Sequence, residues 1–302
     1  MIHCGLYFTD VHIRQARQRR AREPQKSAWD FLLEQEQTGA PAAIQWGGLR
    51  YRFDGDEAAG EQAALALMEA EPPAETTPLE AMRSALVQAQ NFEMLRDHPA
   101  STPARQSRWM ESFAEQVAVF DRAAGSLSPL ESLWSGTLHL AAGIVLERED
   151  WFNQGVESCR RTIDEAIRPE GYLPQVVEGR DGGSLYRQIL STQALALSAE
   201  MAAHAGFDLW AYAARGVSVK TACAYLLYYY YYPEKWRWDD GMEAEAPRWF
   251  RQHAGFWEML NHRAPLKNAN LMLDELRPIY DPVGGGLTTL SHGPAARRGL
   301  FG

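Results

Sequence analysis

Cysteine is scarce: Cys4, Cys159 and Cys223 are the only three in 302 residues. Their odd number and wide separation exclude a readable disulfide framework and a CxxC metal site, and they agree with a reducing compartment. A basic surplus is also missing. Thirty Lys and Arg face 39 Asp and Glu, a formal charge of −9, which is the opposite of a nucleic-acid-binding balance. An acidic ligand stays open, because a few grouped arginines hold carboxylates whatever the global charge. No apolar run is long enough to span a bilayer. The start Met1-Ile-His-Cys-Gly-Leu-Tyr-Phe-Thr-Asp10 has neither the basic end nor the apolar stretch of a secretory signal. There is no P-loop, GxGxxG, GxSxG or HExxH. These absences lead us to expect no cofactor, no metal, no nucleic acid and no membrane partner, and a cytoplasmic chain unless a leader has been removed.

What is present is helical punctuation. Thr77-Pro78-Leu79-Glu80 and Ser128-Pro129-Leu130-Glu131 each set a hydroxyl at N-cap, Pro at the first helical position and Glu at N3. In such capping boxes hydroxyl and carboxylate satisfy amides that the helix leaves unpaired. The two starts lie 51 residues apart, the length of one helix–loop–helix pair. After Pro129, Leu130, Leu133, Trp134, Leu138, Ala141 and Val145 recur at helical spacing. Further helices are expected over Gln25–Gln37, Asp56–Glu71, Leu79–Leu95, Arg105–Ala123, Trp151–Ile167, Ser184–His204, Asp208–Tyr230, Trp249–Leu260 and Leu266–Leu276. Gly206 is placed to end the Ser184 helix in a left-handed conformation. Strand signals are confined to Tyr172–Val177 and the Gly284–Gly286 tail, and both segments also read as loops. Ten to twelve helices joined by short turns must stack or close on themselves. The expected architecture is all-α: a toroid of antiparallel helix pairs, one domain over residues 1–302. Residues 1–76 form N-terminal helices and a loop, 77–290 the core and 291–302 a tail. Disorder is expected at Glu71–Thr76 and after His292.

The segment Arg168–Arg187 joins two strong helices and is longer than a turn requires, the kind of loop on which function concentrates. It carries Glu178, Arg180, Asp181 and Arg187 beside Tyr186. Arginine holds a carboxylate with two parallel bonds, and a tyrosine beside cations can serve as acid or base. That set suits β-elimination from a uronic acid, in which one group neutralises the carboxylate and another moves the proton. A core role for Tyr186 and helix-end roles for the arginines are the competing reading. Glu131, Ser135 and His139 share a helix face that can line a cavity, although the capping box alone accounts for Glu131 and a core position for His139. The run Tyr225, Tyr228–Tyr232, Trp236, Trp238, Asp239 and Asp240 is dense in aromatics. Trp236 and Trp238 are sugar-stacking candidates, and Asp239 and Asp240 candidates for half of a hydrolase carboxylate pair. His253, Trp257, Glu258, His262 and Arg263 make a second polar–aromatic cluster without metal-site spacing.

Over roughly residues 78–290 the sequence resembles the alginate-lyase-like polysaccharide lyases. The resemblance rests on Leu133-Trp134-Ser-Gly, Trp151-Phe152, Glu170-Gly-Tyr-Leu-Pro174, Glu178-Gly-Arg180 and Ser184-Leu-Tyr-Arg-Gln-Ile-Leu190. It continues in Ala199-Glu200-Met-Ala, Gly206-Phe-Asp-Leu-Trp and Phe256-Trp-Glu-Met-Leu-Asn-His-Arg263. It implies an α/α toroid, an acidic glycan or oligosaccharide as partner, and β-elimination with Tyr186 as base and acid. Arg180 and Arg187 would hold the carboxylate, Glu131 or His139 would assist, and Trp134, Glu178, Trp236, Trp238, Asp239, His253 and Trp257 would bind sugar. The family's Asn-Asn-His motif is absent, its place taken by Pro129, Leu130 and Glu131. Arg180 matches the family's arginine, while its tyrosine position falls on Arg187, one residue from Tyr186. A glycoside hydrolase on the same scaffold and a non-catalytic carbohydrate-binding protein are the alternative expectations.

Overall fold

The computed structural model describes residues 3, 5–35, 42–70, 77–179 and 181–294. Its first helices are α1 Asp10–Gln18, α2 Gln25–Glu34, α3 Ala42–Leu49, α4 Glu57–Glu69 and α5 Pro78–Leu95. Next come α6 Pro103–Arg122, α7 Pro129–Val145, α8 Glu149–Arg161, the short α9 Pro174–Val177 and α10 Ser184–His204. The chain continues through α11 Val219–Tyr231, α12 Ala246–Gln252, α13 Gly255–Arg263 and α14 Lys267–Leu276. A two-residue hairpin, β1 Tyr280–Asp281 with β2 Gly286–Leu287, leads into α15 Thr288–His292. The pieces expected to be disordered lie outside the described residues, apart from Gly293 and Pro294.

The capping boxes are present: Thr77 Oγ1 and Ser128 Oγ each accept the amide of the N3 Glu, at 3.3 Å. α7 and α10 are buried almost all round, whereas α6 and α8 bury one face only. The all-round burial sets α7 and α10 in an inner layer. Inner helices follow one another as α3, α5, α7, α10 and α13, and the hairpin and α15 pack between α13 and α3. The ring therefore closes, as the toroid reading requires. α7 and α8 approach closely because glycines face the contact. A Cβ on Gly136 would lie 2.2 Å from Ser158 Oγ, and one on Gly143 would lie 2.3 Å from the Phe152 nitrogen.

The structure corrects several helix boundaries. The Trp151 helix turns into a π-helical segment at Thr162–Ala166. Asp208–Ser218 is not helical: Arg215 and Gly216 adopt left-handed φ values of 53° and 79°, a bridge joins Ala214 to Val217, and Ser218 caps α11. The helix expected over Trp249–Leu260 breaks at His253–Ala254, and the freed Gly255 amide donates to Asp281 Oδ2 at 3.2 Å. Tyr172–Val177 is not a strand but ends in the turn α9. Three helices escaped the sequence reading: α1, α3 and the short α15. α1 buries only His12, Ile13 and Ala16. α3 contains Gly47 and Gly48, which oppose helix on propensity but let the helix lie against Ala63 and Met94. An internal ion pair ties α13 to the approach of the hairpin. Arg277 Nε and Nη2 donate to the two oxygens of fully buried Glu258 at 2.8 and 2.9 Å, and Thr289 Oγ1 adds a bond at 3.0 Å.

Candidate active site

The Arg168–Arg187 segment is held by its own charges. Arg187 donates from Nη1 to both Asp181 oxygens at 2.9 Å and from Nε to the Val176 carbonyl at 2.7 Å. Gly179 and Gly183 leave room for this guanidinium, since a Cβ on either would come within 2.9 Å of it. Arg187 is thus a loop staple. Arg180 lies outside the described residues. Glu178 is exposed at the end of α9.

Asp239 anchors the start of α10. It accepts from the Ser184 amide at 2.9 Å, from the Gly182 amide at 3.1 Å and from the Ser184 hydroxyl. Burial works against its charge, but the Ser184 and Gly182 donors outweigh it and hold the carboxyl below its usual range. Trp236 donates from Nε1 to Ser184 Oγ at 2.7 Å and packs edge-on against Tyr229, 4% exposed. Neither side chain faces a ligand: both build the N-terminus of α10. We expect Asp239→Ala to destabilise the fold by about 1–3 kcal/mol, seen as a lower unfolding midpoint in urea; an unchanged midpoint would contradict this role. Trp238 is partly exposed and stacks Arg237 against Tyr172, the guanidinium lying 4.6 Å from the Trp238 ring and 4.8 Å from the Tyr172 ring. It remains open to contact.

Glu131 accepts the Ser128 amide at 2.8 Å and is occupied as a cap. His139 is buried. Its Nδ1 bonds the Ser135 carbonyl at 2.7 Å and its Nε2 lies 2.7 Å from Asp121 on α6. It does not line an inner cavity with Glu131 but locks α7 to α6. A cavity of about 390 Å³ opens beside α7, lined by Ser132, Ser158, Arg161, Glu165 and Gln175 among others. It shares no residue with the cluster described next.

Tyr186, two residues into α10, is half-buried, and its ring centroid lies 5.5 Å from those of Trp249 and His253. His253 Nδ1 is 3.5 Å from Arg83 Nη2, on α5. The Arg83 guanidinium lies 5.2 Å from the ring of Trp134, which is fully buried on α7. Four elements therefore bring a phenol, an imidazole, a guanidinium and two indoles together. Burial, with Arg83 adding to it, pushes the His253 imidazole down to about 3, so it is neutral at ordinary pH. Among the described residues Arg83 has no carboxylate within ion-pair distance, and its buried Nε has no hydrogen-bond partner. Arg83 acts on the carboxyls of Glu80, one turn back on α5, and of Asp281, fully buried in the hairpin. Asp281 accepts from Gln193 Nε2 at 2.7 Å and from the Gly284 and Gly255 amides. Burial pushes its carboxyl up to about 6, against the opposing pull of those donors and of Arg83. Buried polar atoms are almost always paired, yet Arg83 Nε, Trp134 Nε1, Gln193 Oε1 and Trp257 Nε1 lack partners among the described residues. Trp257 itself is fully buried beside Phe256.

Tyr186, His253 and Trp134 thus come together, while Arg187, Glu131, His139, Trp236 and Asp239 are engaged elsewhere. Arg83 and Asp281 were missed. The signal for Arg83 was there: it shares a helical stripe with Leu86, Gln90 and Met94, all buried, and a charge on such a stripe needs a reason. Asp281 gave no signal, because its environment comes from Gln193 and Gly255, distant in the chain.

Comparison with known proteins agrees with the fold. The chain aligns by fold with alginate lyase A1-III from Sphingomonas species A1, with TM-score 0.68 and 19% identity, over 84% of this chain and 75% of that one. A variant of alginate lyase A1-III complexed with tetrasaccharide aligns with TM-score 0.64 and 19% identity, over 84% and 74%. An alginate lyase from Bacteroides ovatus aligns with TM-score 0.71 and 12% identity, over 96% of this chain and 99% of that one. No curated protein sequence matches. Among the described residues no helix is long and apolar enough to cross a membrane. The family model described as alginate lyase matches residues 74–236, more than half of the chain and the part that holds Arg83, Trp134 and Tyr186; the chain belongs to the alginate lyase family.

Proposed function

We propose that this protein is a polysaccharide lyase that cleaves a uronic-acid-containing glycan or oligosaccharide by β-elimination at the Tyr186–His253–Arg83 cluster. The observation that carries this reading is Arg83, a half-buried cation with no carboxylate within ion-pair distance among the described residues, set 3.5 Å from His253, whose ring packs near Tyr186. A guanidinium in such a place suits a substrate carboxylate. Neutralising that carboxylate acidifies the C5–H bond next to it. Tyr186, as phenolate, takes the C5 proton; the electron pair forms the C4=C5 double bond; the C4–O bond breaks; and Tyr186 returns the proton to the departing oxygen. The products are a 4,5-unsaturated uronate and a free hydroxyl on the other fragment. His253, neutral, positions substrate or phenol by hydrogen bonding rather than as a second charge. The Trp249 ring, 5.5 Å from that of Tyr186, is the stacking surface of the cluster.

The hydrolase alternative needs two free carboxylates across a cleft. Of its candidates, Glu131 and Asp239 serve as helix caps, which leaves Glu178 and Asp240. Arg83→Gln is expected to lower kcat/KM on a uronate oligomer about 100-fold, mostly through KM if the guanidinium binds the ground-state carboxylate. Arg83→Lys should recover part of that loss. Steady-state kinetics of both variants test the assignment, and wild-type KM in Arg83→Gln would exclude Arg83 as the carboxylate site.

A further inference from the structure

At the far end of α10 from Tyr186 lies a second cluster that the proposed lyase chemistry does not use. Tyr186 and Glu200 are fourteen residues apart on one helix, roughly 21 Å along its axis. Around Glu200 gather His12 from α1, His204 from α10, His262 from α13 and His292 from α15. The His12 ring centroid lies 4.9 Å from that of His292, 5.3 Å from His262 and 5.5 Å from His204. Glu200, His12 and His292 are buried. One ligand atom from each of these three lies within 4.8 Å of the others.

The geometry points to a binding site for one divalent transition-metal ion, of the zinc type, held by Glu200, His292 and His12 with His204 adjacent. Two or three imidazoles and one carboxylate, with a position left for water, are the donor set that zinc and its neighbours take.

The orientation of the His292 and His204 rings supports this. His292 Nε2 is 3.5 Å from Glu200 Oε1, and its Nδ1 is held at 2.7 Å by Ser291 Oγ. His204 Nε2 is 3.0 Å from the same oxygen, and its Nδ1 faces the Leu6 carbonyl at 3.4 Å. Ligating imidazoles are oriented in this way, one nitrogen turned to the metal and the other bonded outward. Both inward nitrogens lack a hydrogen-bond donor or acceptor of good geometry among the described residues. Spacings of 3.0 and 3.5 Å between donor atoms also match two ligands sharing one ion with bonds of about 2.0–2.1 Å.

His12 needs one rearrangement. Its Nδ1 accepts the Thr9 amide at 3.1 Å and lies 3.0 Å from Thr9 Oγ1. Ligation through Nε2 moves the ring proton to Nδ1, where Thr9 Oγ1 accepts it and the Thr9 amide turns away. Opposing the ion is Arg263, which donates to Glu200 from Nε at 3.0 Å and from Nη2 at 2.8 Å, while Trp210 Nε1 donates to Oε2 at 2.8 Å. Arg19 is a second cation on this side. Arg263 and a metal therefore compete for the same carboxylate. An ion here would clasp the first and last described helices, α1 and α15, to α10, a structural role separate from the Tyr186 site.

The test uses the full-length protein stripped with chelator, then titrated with Co²⁺ and followed by visible absorption and by unfolding temperature. The expected result is saturation at one equivalent with the strong visible bands of a four-coordinate site, a raised unfolding temperature and displacement by Zn²⁺. His12→Asn and His292→Asn should each weaken Co²⁺ affinity at least tenfold. Arg263→Gln, which removes the competitor, should strengthen it and enlarge the metal-dependent rise in unfolding temperature. Absence of a stoichiometric Co²⁺ signal in the native chain would overturn the assignment, whatever the folding of the variants. A signal unaffected by both histidine variants would do the same.

Discussion

Tyr186→Phe is expected to slow formation of the unsaturated uronate by a factor of about 10²–10⁴, the range over which a positioned acid–base group acts. The substitution removes one oxygen and keeps the ring that packs against Trp249 and His253. Folding should therefore be unchanged and substrate binding nearly so, with the loss falling on kcat. That split separates a proton-moving phenol from a core tyrosine. Were Tyr186 only a packing element, the Phe variant would turn over at the wild-type rate. In the proposed elimination the same oxygen takes the C5 proton as phenolate and gives it up as phenol, so one residue serves both halves. In this proposal Arg83, 3.5 Å from His253, supplies the cation for the substrate carboxylate. The proposed cluster draws its cation from α5, while Arg187 is bound to Asp181.

The largest effect on stability is expected at the buried Glu258–Arg277 pair. Glu258 is fully buried and Arg277 nearly so, with two parallel bonds of 2.8 and 2.9 Å and a further bond from Thr289. Such a pair adds little over a well-packed apolar substitute, but removing one partner strands a charge in a dry interior. Burial favours loss of the Arg277 charge, yet the Glu258 bonds and charge hold the guanidinium above its usual range. Arg277→Met should therefore destabilise by about 3–5 kcal/mol, measured as urea unfolding free energy, while the double variant Arg277→Met with Glu258→Leu should recover much of it. A double variant no more stable than the single would show that the pair itself, rather than the stranded carboxylate, sets the cost.

Local chemistry was legible in the sequence; long-range chemistry was not. The capping boxes at Thr77 and Ser128, the Ser184–His204 helix and the left-handed Gly206 follow from side chains within a few residues of one another. So does the toroid, because many amphipathic and fully apolar helices with short connections have few ways to bury their faces. Errors arose where tertiary contact overrode propensity. α3 is helical despite Gly47-Gly48 because those glycines fit against α4 and α5. The Trp249 helix breaks where Asp281, 26 residues beyond Gly255, takes the Gly255 amide. In the site, Tyr186, His253 and Trp134 were singled out on residue type and position. Asp239 and Trp236 were read as ligand-facing because nothing in the sequence reveals that Ser184, on another helix, takes both of them. Arg83 was overlooked because a lone arginine in a helix is ordinarily a solvated one.

The most direct test of the account is the ultraviolet absorbance of the wild-type protein incubated with a panel of uronate polymers and oligomers, read beside a reducing-end assay. Elimination creates a conjugated 4,5-unsaturated uronate, so absorbance should rise in step with new reducing ends on at least one acidic glycan. New reducing ends without absorbance would make the protein a hydrolase, and neither signal on any substrate, with binding intact, would make it a non-catalytic glycan-binding member of the family.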